Sequence, residues 1–213
     1  MPFPDELHPA GVTVHPYNPA WPGEAATLGA ELAALVPRAL AVEHIGSTAI
    51  SGMAAKDCLD MMILVNDLND SNADPALTAA GYRRLLEPWN NLEEAIGRHW
   101  PKLVFAPPIG ARPCNIHVRV IASETARIAL LFRDHLRAIP TRTEWWSELK
   151  TRAAQHTTTL QEYGQIKYPA WHLLMDLAEA WAHDTGWTMP TYEPRPNDQT
   201  VFNGDGELET PVS

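Results

Sequence analysis

Glu43-His44-Ile45-Gly46-Ser47-Thr48-Ala49, with Asp60 on the next apolar run, brings more chemically useful side chains together than any other stretch of the 213-residue chain. A glycine leaving a strand lets the backbone come close to a bound phosphate. The N–H groups that open a following helical turn favour an anion, and Ser47 and Thr48 add hydroxyl donors. Asp60 interrupts the otherwise apolar run Cys58–Val65. A carboxylate in such a setting is costly unless it is paired, hydrogen-bonded or bound to a metal. The grouping points to a phosphate held at Gly46, Ser47 and Thr48 beside a carboxylate that serves a metal or a proton. The alternative is a structural turn next to a structural ion pair.

Basic and imidazole side chains recur downstream. In Asn115–Ile121 strand alternation puts Asn115, His117 and Arg119 on one face, with Ile116, Val118 and Val120 on the other. Arg133 and Arg137 are four residues apart and share a helix face. Lys150, Tyr163 and Lys167 fall on later helical segments. Arginine would hold a phosphate or carboxylate bidentately and lysine as a point charge. The competing reading is a solvated helix face with Asp134 and Glu162 as local partners. The tryptophans Trp145, Trp146, Trp171 and Trp181 read as helix-packing residues rather than a base-stacking platform.

The elements that must position these groups follow from periodicity and punctuation. Residues 1–22 are proline-rich, with only Val12-Thr13-Val14 strand-like. Residues 20–40 carry Leu28, Leu32 and Leu35 at helical spacing, ended by Pro37. Strands are expected over 41–45 and 58–65, the second buried on both faces. Residues 48–55 read as a short helix and loop. Asp74 as N-cap, Pro75 at the first helical position and Gly81 past the end frame a helix. Residues 82–86 read as a third strand, 87–97 are ambiguous, and 103–106 and 115–121 are strands joined through the Pro107–Gly110 turn. Ser123 caps a helix that ends before Pro140. Thr141 and Glu144 have capping-box spacing for a helix to about Leu160. A last helix runs over about 161–183, with Pro169 kinking it or starting anew and Gly186 stopping it. This is an α/β (α+β) layout: a mixed unit to about residue 122, a helical portion over 123–185, and a tail over 186–213. No internal repeat is evident.

The formal net charge is −10. That disfavours nucleic acid as a partner, since no basic tract supplies the phosphate term. From Thr188 onward Glu193, Asp198, Asp205, Glu207 and Glu209 face only Arg195. With its prolines this tail is expected to be disordered. Cys58 and Cys114 lack metal-type spacing and read as buried thiols in a reducing cytosol. The first residues lack the charged and apolar regions of a secretory signal, and no apolar run approaches the ~18 residues of a membrane span. The expectation is a cytoplasmic protein with a small-molecule substrate.

Glu43-His44-Ile45-Gly46-Ser47-Thr48-Ala49, Ala54-Ala55-Lys56 and Leu59-Asp60 resemble the signature of the GrpB family, within the nucleotidyltransferase-fold superfamily. The likeness continues through Asn115-Ile116-His117-Val118, Phe132-Arg133-Asp134-His135-Leu136-Arg137, Leu149-Lys150, and Tyr163 four residues before Lys167. It covers about residues 12–183 in order. The resemblance implies a nucleotidyltransferase-like small mixed sheet flanked by helices, with the Gly-Ser turn over the site. It also implies ATP or another nucleoside triphosphate as substrate, and Mg²⁺ as cofactor. Phosphate would be bound by Gly46, Ser47, Thr48, Lys56, Arg133, Arg137, Lys150, Tyr163 and Lys167. His44, Asp60 and His117 would be catalytic, and Asp60, Glu43 and His117 would hold the metal. A related domain occurs fused to dephospho-CoA kinase in some bacteria.

The chain departs from the superfamily at one telling position. Two acids two residues apart usually follow the Gly-Ser turn and hold divalent ions; here Asp60 is followed at that spacing by Met62, whose thioether is a poor ligand for Mg²⁺. Asp57 would face the other way in a regular strand. The family's Lys-Pro and Val-Pro-Gly-Leu read Lys56-Asp57 and Ile50-Ser51-Gly52-Met53. Three functions stay open: a nucleotide-dependent transferase or ligase, a binding module with a degenerate metal site, and a specialised small-molecule enzyme that reuses the fold.

Overall fold

The computed structural model describes residues 11–192. Helix α1 (Trp21–Leu35) leads into strand β1 (Ala41–Ile45), a single 3-10 turn at Ser47–Ala49, and strand β2 (Leu59–Val65). Then come α2 (Ala73–Ala79), β3 (Arg83–Arg84), α3 (Pro88–Asn91), β4 (Leu92–Ala95), β5 (Arg98–Ala106) and β6 (Cys114–Val120). Three helices complete the described chain: α4 (Glu124–Ala138), α5 (Pro140–Gln155) and α6 (Leu160–Thr185).

The six strands form one mixed sheet in the order β1-β2-β6-β5-β3, with β4 pairing β5 off that path. β2 runs parallel to β6, with Asp60 opposite Asn115 and Met62 opposite His117. β1 lies antiparallel to β2, with Glu43 opposite Met62 and Ile45 opposite Asp60. The small mixed sheet flanked by helices is the fold that the resemblance implied.

Because side chains alternate along a strand, the sheet has two distinct faces. One carries Leu59, Met61, Ile63 and Val65 with Ile116 and Val118, and α1 covers it through Trp21, Ala25 and Leu32. The other carries Met62 and Leu64 under Ala126 and Leu130 of α4. Asp60, Asn115, His117 and Arg119 share this second face by register. The near-continuous apolar run of β2 is thus explained by burial on both sides. Further apolar clusters join α4, α5 and α6, among them Leu136, Trp146 and Leu174, and Leu131, Met175 and Ala178.

Several boundaries differ from expectation. α2 starts at Ala73 after Asn72 in the left-handed conformation, so Asp74 sits in the first turn and caps nothing. The third strand shrinks to Arg83–Arg84, and the ambiguous 87–97 segment supplies α3 and β4. The capping box expected at Thr141 and Glu144 does not form, because Pro140 already opens α5. It forms instead at Thr159 and Glu162, where each side chain meets the other residue's N–H at the head of α6. Pro169 lies inside α6, and Gly186 ends it in the left-handed region. Trp145 is 67% exposed and does not belong to the core.

The tail expected to be disordered begins within the described residues, and there it packs: Trp187, Met189 and Tyr192 lie against the Met62–Leu64 cluster. Trp187 Nε1 donates to Asp134 (3.2 Å) and Tyr192 Oη to Glu43 (2.9 Å). Residues 193–213 fall outside the described residues, as do residues 1–10. No helix among the described residues is long and apolar enough to cross a membrane.

Candidate functional site

A cavity of about 390 Å³ opens between the second sheet face and the helices α4–α6. Its floor is Asp60, its rim the Gly46–Thr48 turn, and its far wall the β6 residues Asn115 and His117. Gly46 makes the turn possible. Its φ of 67° and ψ of −165° lie where essentially only glycine is found. A Cβ there would sit 2.9 Å from the Cβ of Asp60, so the backbone passes directly over the carboxylate.

Three lysines converge on the same cavity: Lys56 from the loop before β2, Lys150 from α5 and Lys167 from α6. Lys150 is 1% exposed; its Nζ donates to Ser47 Oγ (2.9 Å) and to the Ala54 carbonyl. Burial, with Lys167 nearby, holds its ammonium well below the ordinary lysine range. Burial and the neighbouring Lys56 bring Lys167 down to about 8, against the pull of Asp60. Its Nζ stands 4.9 Å from the Tyr163 ring centre and 5.9 Å from that of Trp146, a cation–π setting. None of the three lysines forms an ion pair with a described carboxylate. Asp60 accepts from Asn115 Nδ2 (2.8 Å), and desolvation raises its carboxyl above the ordinary range.

Gly46, Ser47, Thr48, Lys56, Asp60, His117, Lys150, Tyr163 and Lys167 are therefore brought together as expected from the sequence. Glu43, His44, Arg133 and Arg137 are not. Arg133 is 6% exposed and donates to Glu43 (2.6 Å), to Asp134 (2.7 Å) and to the His44 carbonyl (3.2 Å). Arg137 donates twice to the Ala49 carbonyl, at 3.0 and 2.8 Å, where the turn ends. His44 lies opposite Met61, on the face away from Asp60. It meets Thr48 Oγ1 at 2.9 Å, and burial, with Arg137 and Arg133 nearby, lowers it to about 4. Both arginines face β1 and the back of the turn because α4 packs there; they buttress the Gly46–Thr48 turn rather than line the cavity.

The metal set Asp60, Glu43 and His117 is not assembled. Glu43 is taken by Arg133 and Tyr192. Met62, at the second acidic position, is wholly buried and accepts from Arg119 Nη1 through its sulfur (3.4 Å). Asp57 is held outside the cavity by Trp21 Nε1 (2.8 Å) and Arg112 (2.6 Å). No group of three or more His, Cys, Asp or Glu side chains among the described residues is arranged to hold a metal ion. Mg²⁺ demands near-octahedral oxygen ligation, and a single carboxylate among lysines does not supply it. The donor set does not fit a resident divalent ion.

Sequence reasoning missed other parts of the wall. Asn115 was placed on the right face by alternation, but nothing in its type marked it as a site residue. Glu93 and Glu94 come from the ambiguous segment. Glu93 accepts from Arg119 at 3.2 and 2.8 Å and pairs with Lys102 at 3.4 Å; with Glu94 also in the lining, two carboxylates stand against two cations at this end. Phe132 and Trp146, stacked edge to face, and Trp171 give the cavity an apolar side. Cys58 also lines it, and burial raises its thiol, which argues against a nucleophilic thiolate.

Residues 11–176 match the family model described as GrpB protein. The chain is similar to a dephospho-CoA kinase of Mycolicibacterium paratuberculosis, 33% identical over 84% of this chain and 48% of that protein. A dephospho-CoA kinase of Mycobacterium bovis is 34% identical, with 81% and 47% covered. The chain thus spans about half the length of these relatives. A UPF0157 protein of Halalkalibacterium halodurans is 31% identical over 81% of this chain and 85% of its own. The crystal structure of conserved protein GrpB from Enterococcus faecalis is similar with a TM-score of 0.67, at 22% identity, covering 79% of this chain and 99% of that one. At that identity the likeness is one of fold.

Proposed function

The chain belongs to the GrpB family, and on that premise we propose that it binds a nucleoside triphosphate in the cavity over Gly46–Ser47. We further propose that it uses this nucleotide to transfer a phosphate-bearing group to a small molecule, or to activate one for ligation. The meeting of Lys56, Lys150 and Lys167 with Ser47 and Asp60 on one cavity carries this reading. Three cations without a partner carboxylate, in a partly dry site, favour a polyanion, and preorganised positive charge is what phosphoryl or nucleotidyl transfer needs. The lysines would take the part usually given to metal ions. Asp60, whose carboxyl burial raises, would exchange a proton at the reacting end. A nucleotide-related role is also in keeping with the dephospho-CoA kinases among the relatives.

Calorimetric titration with ATP tests this. Binding is expected both with Mg²⁺ and with EDTA, and Lys150→Met or Lys167→Met should each weaken it about tenfold to a hundredfold, the worth of a charge-assisted hydrogen bond. If neither ATP nor any other nucleoside triphosphate gives heat in either buffer, the proposal fails.

The pH dependence follows from the lysines. A bound polyphosphate favours the charged forms, and burial disfavours them for both Lys150 and Lys167 in the free protein. Above about 8 binding should draw a proton onto Lys167, whose ammonium is then lost in the free protein. ATP affinity should fall with rising pH and fall more steeply beyond about 8, by up to about tenfold per pH unit for each proton. In Lys167→Arg the guanidinium keeps its charge and the steepening should vanish. A profile that is flat from pH 7 to 9 would remove the lysines from the binding step.

A second reading, a binding module without catalysis, is favoured by one observation: Met62 is buried where a second acid would stand. Product formation by the purified protein with ATP and candidate acceptors separates the two.

A further inference from the structure

Two polar atoms on the β6 wall have no partner: Asn115 Oδ1 and His117 Nδ1 are both buried and unbonded among the described residues. They belong to residues two apart on the same strand face, and both residues line the cavity. Orphaned buried acceptors and donors are costly, so two of them on one wall call for an occupant. The orientation of the Asn115 amide is set by its neighbour. Its Nδ2 donates to Asp60 Oδ1 (2.8 Å), which leaves Oδ1 as a buried acceptor without a partner. His117 is half-buried and neutral at physiological pH, because burial, Arg119 and Lys102 hold its imidazole well below the ordinary range.

The charges around this wall do not ask for an ion. Arg119 and Lys102 both pair with Glu93, and Glu94 also lines this end, so two cations stand against two carboxylates. The lysines lie instead around Asp60 and the Gly46–Ser47 turn, so one end of the cavity is polycationic and the other is charge-balanced with unfilled neutral hydrogen bonds. Phe132, Trp146 and Trp171 supply apolar surface for a small body.

We infer that the Asn115–His117 wall, which adjoins the lysine end at Asp60, is a subsite for the second substrate, which presents an uncharged hydroxyl or amide to Asn115 Oδ1 and His117 Nδ1. This rests on the phosphate reading of the lysine end only in calling that substrate an acceptor. An O–H or N–H donor satisfies Asn115 Oδ1, and a hydroxyl or amide also carries an acceptor if His117 presents Nδ1–H. A carboxylate brings no donor for Asn115 Oδ1 and would be drawn to the lysines instead.

The test uses the wild-type chain with its histidines and asparagine side-chain amides ¹⁵N-labelled. Benzyl alcohol and benzamide are the donor probes, toluene and benzoate the controls, and tripolyphosphate the ligand for the lysine end. The donor probes should move the His117 Nδ1 and Asn115 signals, bind at least about tenfold more tightly than toluene, and remain bound when tripolyphosphate is saturating. Binding no tighter than toluene, unmoved Asn115 and His117 signals, or displacement of the donor probes by tripolyphosphate would each overturn the inference. The phosphate reading fails separately, if tripolyphosphate gives no calorimetric heat while the donor probes still bind.

Discussion

Gly46→Ala should lower the melting temperature by roughly 5–20 °C and remove triphosphate binding. Two costs combine. The backbone at Gly46 has φ 67° and ψ −165°, a region where a side chain costs about 1–3 kcal/mol. The added methyl would also sit 2.9 Å from Asp60 Cβ and 3.0 Å from its Cγ, and such overpacking costs about 1–3 kcal/mol more. In a chain of this size each kcal/mol moves the midpoint by about 2–4 °C. Gly52 provides the control: its φ is 77°, but nothing lies within 4 Å of an added Cβ, so Gly52→Ala should bear only the backbone strain. Combining Gly46→Ala with Asp60→Gly should recover part of the loss. If Gly46→Ala melts with Gly52→Ala, the close passage of the turn over Asp60 is not what makes Gly46 necessary.

Arg133→Met should destabilise the fold by about 3–5 kcal/mol, although the residue touches no part of the cavity. Its guanidinium is nearly inaccessible and satisfies Glu43, Asp134 and the His44 carbonyl together. Removing one member of such a group leaves partly buried carboxylates without their cation, which costs far more than the pair itself contributes. Chemical denaturation of Arg133→Met measures the loss, and Arg133→Met with Glu43→Gln should be less destabilised than the single variant. A single variant within about 0.5 kcal/mol of wild type, the range of an ordinary surface change, would place Arg133 back among ligand-binding residues.

The arginines show why only part of the site was legible. Spacing put Arg133 and Arg137 on one face of a helix, which is correct, but periodicity does not say what that face meets. The packing of Leu130 and Ala126 on Met62 and Leu64 turns it toward β1, a tertiary outcome with no local signal. Strand alternation was more informative. Asp60 inside an apolar run and the Asn115-His117-Arg119 face both followed from a period of two, and both lie where the reading placed them. The converging lysines were found by resemblance, since Lys150 and Lys167 sit on different helices joined only by the fold. β4 stayed hidden because Leu92-Glu93-Glu94-Ala95 is short, half polar and without alternation. The start of α5 was misjudged because Pro140 had already fixed the first helical position, which makes the Thr141–Glu144 spacing coincidental.

The parallel pairing of β2 with β6 also bears on how the protein is made. Asp60 and Asn115 touch across 55 residues, and loop closure of that length must precede any stabilising contact between them. On the ribosome the strand Leu59–Val65 emerges long before its central partner Cys114–Val120. During that interval an almost wholly apolar strand can bond only to the short edge strand β1, which leaves it open to foreign strands. The same contact that completes the cavity floor therefore sets the period in which the nascent chain most needs protection from aggregation.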